Sequence, residues 1–289
     1  MSESIYDVII IGGGPAGASA ALYAARGGLT ACIIHSGVSA LHKAHLVDNY
    51  YGSGSLPGGE LYERGLSQTA SVGVQILNDE VTHASFDGEK FTVSLKGKEL
   101  FSRRLVIATG AARKSVNIDG IADCEGKGVS YCAVCDAFFY RRKTVGVIGA
   151  GSFAEHEYGV ISAVAEKAYL FTNGQEPSFS APDTDVRKIT RVVKSSETDR
   201  LAGVEVGGEF IKLDGLFIAV GVMGSSELAK SMGVFTDEKG SIKVDGRGMT
   251  NIPGLYAAGD CTAGTKQVAK AVNDGMTVGL AIIDDLKKK

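Results

Sequence analysis

Twice in this chain a β-branched run breaks into glycines and reopens as a helix, and this repeat limits the fold more than any other feature. Ile5 to Ile11 ends in Gly12-Gly13-Gly14-Pro15-Ala16-Gly17, after which Ala, Leu and Tyr recur at helical spacing to Arg26. Thr144 to Ile148 runs likewise into Gly149-Ala150-Gly151-Ser152-Phe153-Ala154 and a helix to about Glu166. Gly12, Gly14 and Gly17 fit the GxGxxG dinucleotide fingerprint, and Gly149, Gly151 and Ala154 fit its variant with Ala in third place. One glycine makes the tight turn, one admits backbone to a pyrophosphate, and one lets helix and strand pack closely. The pyrophosphate then rests on the helix N-terminus, where unpaired N–H groups and the dipole favour anions.

The 289 residues allow two domains of roughly 100 to 200 residues each. In the first half, the strand Leu29 to Ile34 ends in His35-Ser36, where a ribose-binding acid is usual. A Gly, Ser, His and Asn-rich loop over 37–59, containing Asn49, precedes a helix from Gly59 to Val72. Strands follow at Val74 to Leu77, Phe91 to Leu95 and Leu100 to Ile107, closed by the small-residue turn Ala108-Thr109-Gly110. In the second half, the strand Ala168 to Phe171 leads into Thr172-Asn173-Gly174, and no Lys or Arg occurs from Ala168 through Val186. A 2′-phosphate would need one there. Arg187, Lys188 and Arg191 read as a solvated face. Leu201 to Val206, Glu209 to Lys212 and Leu216 to Val220 read as one small sheet. Gly254 to Asp260 is a strand ending in Gly-Asp, and Thr265 to Lys287 a helix that serves packing or a subunit contact.

Cys132 and Cys135, two residues apart and followed by Asp136, are the chemical centre of the sequence. Two sulfurs at this spacing can close a small disulfide ring, and the acid can move the proton that thiol–disulfide exchange needs. A closed zinc site would require two further Cys or His ligands, whereas Cys32, Cys124 and Cys261 are scattered and the five histidines form no ligand pair, so no metal is expected. A net charge of −3 argues against nucleic acid or membrane surfaces as partners. No apolar run nears the 18 or so residues of a membrane span, the start is acidic, and a cytoplasmic location is expected.

Taken together, the motifs resemble the low-molecular-weight thioredoxin reductases, flavoprotein disulfide reductases. Gly12 to Gly17, Ala108-Thr109-Gly110, the block from Gly126 to Tyr140 around the two cysteines, the second fingerprint, and Gly259-Asp260 with Lys266-Gln267-Val268 fall in that family's order. The resemblance implies an α/β fold of two nested Rossmann-like, three-layer ββα dinucleotide-binding domains. One would be an FAD domain from 1–114 and 246–289, the other a central domain over 115–245 carrying the cysteines, with hinges at 110–115 and 244–248. It implies FAD contacts at Gly12, Gly14, Ala16, Gly17, Ser36, Asn49, Val81, Thr109, Gly110, Gly259, Asp260, Lys266, Gln267 and Val268. It also implies that Cys135 faces the flavin, Cys132 attacks the partner disulfide, and Asp136 carries the proton. Thioredoxin is the implied partner and a homodimer the implied assembly.

Two departures stand out. The loop usual after the second strand is replaced by Ser39-Ala40-Leu41-His42-Lys43, and the segment that reads NADPH by Phe171-Thr172-Asn173-Gly174. In this the chain is similar to a subgroup reduced by ferredoxin. A ferredoxin near −400 mV facing a thioredoxin near −270 mV leaves about 130 mV, or roughly 6 kcal/mol for two electrons. Expected, then, is a ferredoxin-linked thioredoxin reductase. The alternatives are an NADH- or NADPH-dependent reductase, a diflavin oxidoreductase with a second FAD at the vestigial fingerprint, and a flavin-bearing redox sensor that is not an enzyme.

Overall fold

The structure, a computed structural model, describes residues 5–37, 39–110, 116, 118–131, 133–220, 225–238 and 240–287, without the side chains of Lys43, Val134, Cys135 and 225–227. In chain order, β1 (Ile5–Ile11) and α1 (Pro15–Arg26) lead to β2 (Ala31–His35) and α2 (Gly58–Ser71). Then come β3 (Gln75–Asn78), β4 (His83–Phe86), β5 (Phe91–Leu95) and β6 (Lys98–Ile107). The central part holds α3 (Ile121–Cys124), β7 (Val129–Ser130), α4 (Ala133–Asp136), β8 (Thr144–Ile148), α5 (Ser152–Ser162), β9 (Lys167–Phe171) and β10 (Thr184–Asp185). It continues through β11 (Ile189–Lys194), β12 (Leu201–Val206), β13 (Glu209–Lys212) and β14 (Gly215–Ile218). The last part is α6 (Ser225–Ser231), β15 (Leu255–Ala257) and α7 (Val268–Lys287).

Two compact units result, 1–113 with 224–289 and 114–223. The chain therefore returns to the first unit at Gly224, ahead of the expected 246. Residues 224–245 go with the first unit because Ile242 bridges Thr262 and α6 packs on β4. The segment 244–248, expected as a hinge, is a turn of that unit: Gly248 N donates to Asp245 O and Ala257 N to Gly248 O. The other expected hinge, 110–115, lies outside the described residues beyond Gly110.

The first unit is a seven-stranded sheet in the order β3-β2-β1-β6-β5-β4, with β15 beside β6. Strands β2, β1 and β6 are parallel, with β1 and β2 largely buried, as a sheet covered on both faces requires, whereas β5 pairs antiparallel with β6 and β4. α1 offers its neighbours almost only Ala, Gly and Ser, so α7 approaches until Ser19 Oγ donates to Val272 O at 2.8 Å. A Cβ on Gly275 would stand 2.1 Å from Ala16 O. Ala271, Gly275, Val278, Gly279, Ala281 and Ile282 of α7 are thus buried inside the unit, while Leu280 stays exposed.

The second unit has a five-stranded parallel sheet, β10-β9-β8-β14-β7, and an antiparallel sheet, β11-β12-β13. The strand expected over Leu216 to Val220 leaves the small sheet: as β14 it lies between β8 and β7, with every residue buried. A continuous apolar run suits that central position. β11 takes its place in the small sheet by pairing with β12.

Candidate functional site

The first glycine loop is built as the fingerprint requires. Gly12 has φ +116°, and a Cβ there would stand 2.2 Å from Ala108 O, where β6 ends beside β1. A Cβ on Gly17 would stand 1.9 Å from Gly12 O. Gly14 instead faces space, its nearest neighbour being Ser39 Oγ at 3.9 Å, and it caps α1 with no side chain on the helix amides. Ala16 is buried beneath. Thr109 Oγ1, at the end of β6, is buried without a partner, and Gly110 turns the chain at φ +80°. An uncapped helix amide cluster and an orphaned hydroxyl are what a bound dinucleotide would satisfy.

Around this loop the structure brings together residues far apart in sequence. Gly259, φ +82°, lies against Ala16 and donates its N–H to Asp274 Oδ2 at 2.9 Å. Asn49 Nδ2 donates to Gln267 Oε1 at 3.1 Å. Lys266 Nζ donates to the Asp260 carbonyl and to Thr262 O, which ties it to the chain. Asp260 and Val268 are half-buried, and Val81 is buried. Ser36 is half-buried past the end of β2, where His35 Nδ1 accepts from Gly37 N and sits 3.0 Å from the Tyr62 hydroxyl. Burial lowers the His35 pKa, so it presents no charge where a carboxylate is usual. The altered loop forms a 3₁₀ turn over Ala40–Lys43, capped reciprocally by Ser39 and His42.

In the second unit, Cys132 lies outside the described residues. Cys135 belongs to the single turn α4, and the half-buried Asp136 that ends this turn accepts a hydrogen bond from Ser130 Oγ at 2.7 Å. Phe138 and Phe139, 72% and 67% exposed, follow directly; the sequence gives no sign of this exposure because aromatic residues usually read as core. The sequence gives no sign of Glu157 on α5 either. It is 1% exposed, and its Oε2 accepts the Ala133 N–H at 2.5 Å. Burial pushes its pKa up to about 7. The other three cysteines are buried, and burial pushes Cys32 up to about 11 and Cys261 to about 12. As thiols they are poor nucleophiles, which leaves exchange chemistry to the paired cysteines.

The second glycine loop repeats the first. Gly149 has φ +154°, its Cβ position lies 2.1 Å from Ala219 O, and Gly151 caps α5 in extended conformation. Ala154 is fully buried. Past β9, Asn173 Oδ1 accepts from Ile189 N and Gly174 N donates to Val186 O. Arg187 is committed to Asp185 and Glu209, at 2.8 and 2.9 Å. Among the described residues no cluster of three His, Cys, Asp or Glu could hold a metal, and no helix is long and apolar enough to cross a membrane.

Comparison with known proteins agrees with this geometry. Residues 6–275 match the pyridine nucleotide-disulphide oxidoreductase family. The chain is 34% identical to a thioredoxin reductase of Listeria innocua, over 96% of this chain and 92% of that one. The structure of an atypical thioredoxin reductase from Desulfovibrio vulgaris Hildenborough matches with TM-score 0.90 and 33% identity, covering 98% of this chain and 99% of that one. A ferredoxin-flavin thioredoxin reductase from Clostridium acetobutylicum matches with TM-score 0.77 and 28% identity, covering 98% and 99%.

Proposed function

The chain belongs to the pyridine nucleotide-disulphide oxidoreductase family, and on that premise we propose that it is an FAD-dependent thioredoxin reductase whose electrons come from ferredoxin. The observation that carries the choice of donor is the end of β9. No basic side chain comes from 168–186, Asn173 and Gly174 are bonded to backbone, and Arg187 is held by two carboxylates. The turn itself offers a 2′-phosphate no counter-charge, and the basic side chain lying beside Gly174 is Lys188, which comes from the following segment. The likeness to a ferredoxin-flavin thioredoxin reductase points the same way.

The first glycine loop, Thr109, Gly110, Gly259 and Asp260 would hold FAD, with the pyrophosphate on the amides of α1. Bound there, the flavin supplies the exchange between one-electron and two-electron carriers. Cys135 is the sulfur on the flavin side, and Cys132 attacks the disulfide of thioredoxin. Asp136, oriented by the Ser130 hydroxyl, moves the proton. Phe138 and Phe139, which follow the pair in sequence and are exposed, give the partner an apolar landing. A homodimer is the assembly this reading implies.

Anaerobic stopped-flow mixing of the purified flavoprotein tests the donor. Reduced ferredoxin is expected to bleach the flavin within the turnover time and NADPH only slowly; fast bleaching by NADPH with none by ferredoxin overturns the proposal. A second reading rests on the intact second glycine loop, which suits a dinucleotide lacking the 2′-phosphate. Fast bleaching by NADH would favour it, and two flavins per chain would place a second FAD there.

A further inference from the structure

The buried carboxylate of Glu157 has no part in the electron transfer from flavin to thioredoxin. It reaches from α5 to the N–H of the Cys132–Ala133 peptide bond, so it is fixed to the backbone of the redox turn by one oxygen. Its other oxygen, Oε1, is buried with no hydrogen-bond partner. A carboxylate held this way is costly while charged, and it gains by taking a proton at the free oxygen. Disulfide reduction changes the charge at this turn, since the first proton on the sulfurs leaves a thiol and a thiolate.

We propose that Glu157 is a positioning residue of the redox pair that takes up, at Oε1, one of the two protons accompanying reduction of Cys132–Cys135. The proposal rests on the reading of this pair as the working disulfide. Two electrons from a reductant, such as the dithiol dithiothreitol, break the S–S bond. One proton from water goes to a sulfur and leaves the other as thiolate; the second goes to Glu157, so the pair and Glu157 together gain no net charge. When a partner disulfide is reduced, both protons leave with it as two thiols, the S–S bond re-forms and Glu157 is ionised again.

The electrostatic surroundings agree. Titratable groups on the elements packed against α5 are Cys135 and Asp136 on α4, Tyr140 on the turn behind it, and Lys167 and Tyr169 on β9; α5 itself carries Glu155, His156 and Tyr158. Burial is the main cause of the raised Glu157 pKa, the Ala133 N–H lowers it, and Asp136 adds a like charge that raises it. A thiolate formed on the same turn acts in the direction of Asp136 and holds the proton more firmly in the reduced protein.

The purified holoenzyme is equilibrated in dithiothreitol redox buffers from about pH 6 to 9, and the state of Cys132 and Cys135 is read by alkylation and mass spectrometry. Protons taken up per disulfide follow from the pH dependence of the midpoint. Wild type is expected to take up about one proton more than Glu157→Gln just above neutral pH. The glutamine still accepts from Ala133, so a purely structural role leaves the two curves alike, and identical curves overturn the proposal. Should Glu157→Gln not fold, wild type alone decides. Its reduced-minus-oxidised infrared spectrum in this range must show a carboxylic acid band that shifts when glutamate is 13C-labelled, and absence of that band overturns the proposal. If alkylation finds no two-electron step at Cys132 and Cys135, it is the reading of the pair that fails.

Discussion

An added methyl group at Gly17 would sit 1.9 Å from the Gly12 carbonyl oxygen, whereas at Gly14 it would meet only Ser39 Oγ at 3.9 Å. The two positions therefore separate folding from cofactor binding. Gly17→Ala is expected to lower both thermal stability and flavin content, by about 1 to 3 kcal/mol for the first. Gly14→Ala is expected to keep the melting temperature of the apoprotein while weakening FAD at least tenfold, because the methyl takes the space where the pyrophosphate approaches. Flavin content after gel filtration and apoprotein melting curves measure both, and equal flavin loss through unfolding in the two variants would contradict the distinction. These glycines were legible in the sequence because a missing Cβ is a covalent property that spacing reveals. Glu157 was not legible. Next to Glu155 and His156 on an amphipathic helix it reads as one more solvated side chain, and its burial comes from α4, a turn brought onto it by the fold.

The link between α4 and α5 also sets a pH dependence of stability. With a folded pKa of about 7 against an ordinary 4.5, Glu157 binds its proton more tightly in the folded state. Its favourable contribution is thus fully present below about pH 4.5, fades as pH rises to about 7, and stays lost above. Denaturation of wild type and Glu157→Gln across this range should show the variant gaining relative stability with pH, by up to about 3 kcal/mol. A constant difference would show that burial does not perturb the carboxylate. Between α1 and α7 packing governs instead. Gly275→Ala, whose Cβ would be 2.1 Å from Ala16 O, should cost about 1 to 3 kcal/mol. Gly159→Ala, exposed in α5 with nothing within 4 Å, should gain about 0.5 to 1 kcal/mol. Chemical denaturation checks both signs. Strands with strong β-branched runs, such as β1, β8 and β12, were readable to the residue. β4, with the sequence His83-Ala84-Ser85-Phe86, was not, since it is held by its pairing with β5 rather than by intrinsic preference. β14 reads as a strand in the sequence but belongs to the parallel sheet and not to the small one, because an apolar run does not name its neighbours.

At the scale of the molecule, the two units are made in different ways: 114–223 is one continuous stretch, while the other unit joins 1–113 to 224–289. The continuous unit closes both its sheets from its own strands. Residues 114–223 expressed alone are therefore expected to unfold cooperatively in urea, and residues 1–113 alone to lack a cooperative transition, having lost β15 and α7. A cooperative transition in the 1–113 fragment would mean that its sheet and α1 hold together without α7. The paired glycine fingerprints made two such bodies visible from the sequence, but where the chain returns depended on the Ile242 to Thr262 bridge, a pairing with no local signature. The Ser19 to Val272 hydrogen bond spans 253 residues of chain. On a ribosome adding about 5 to 20 residues each second, α1 emerges tens of seconds before the helix that covers it. During that interval its small-residue face is open to chaperones, and the central unit, though translated later, can be finished first. The order in which the two units are completed can thus differ from the order in which they begin, and α7 completes the packing begun by α1.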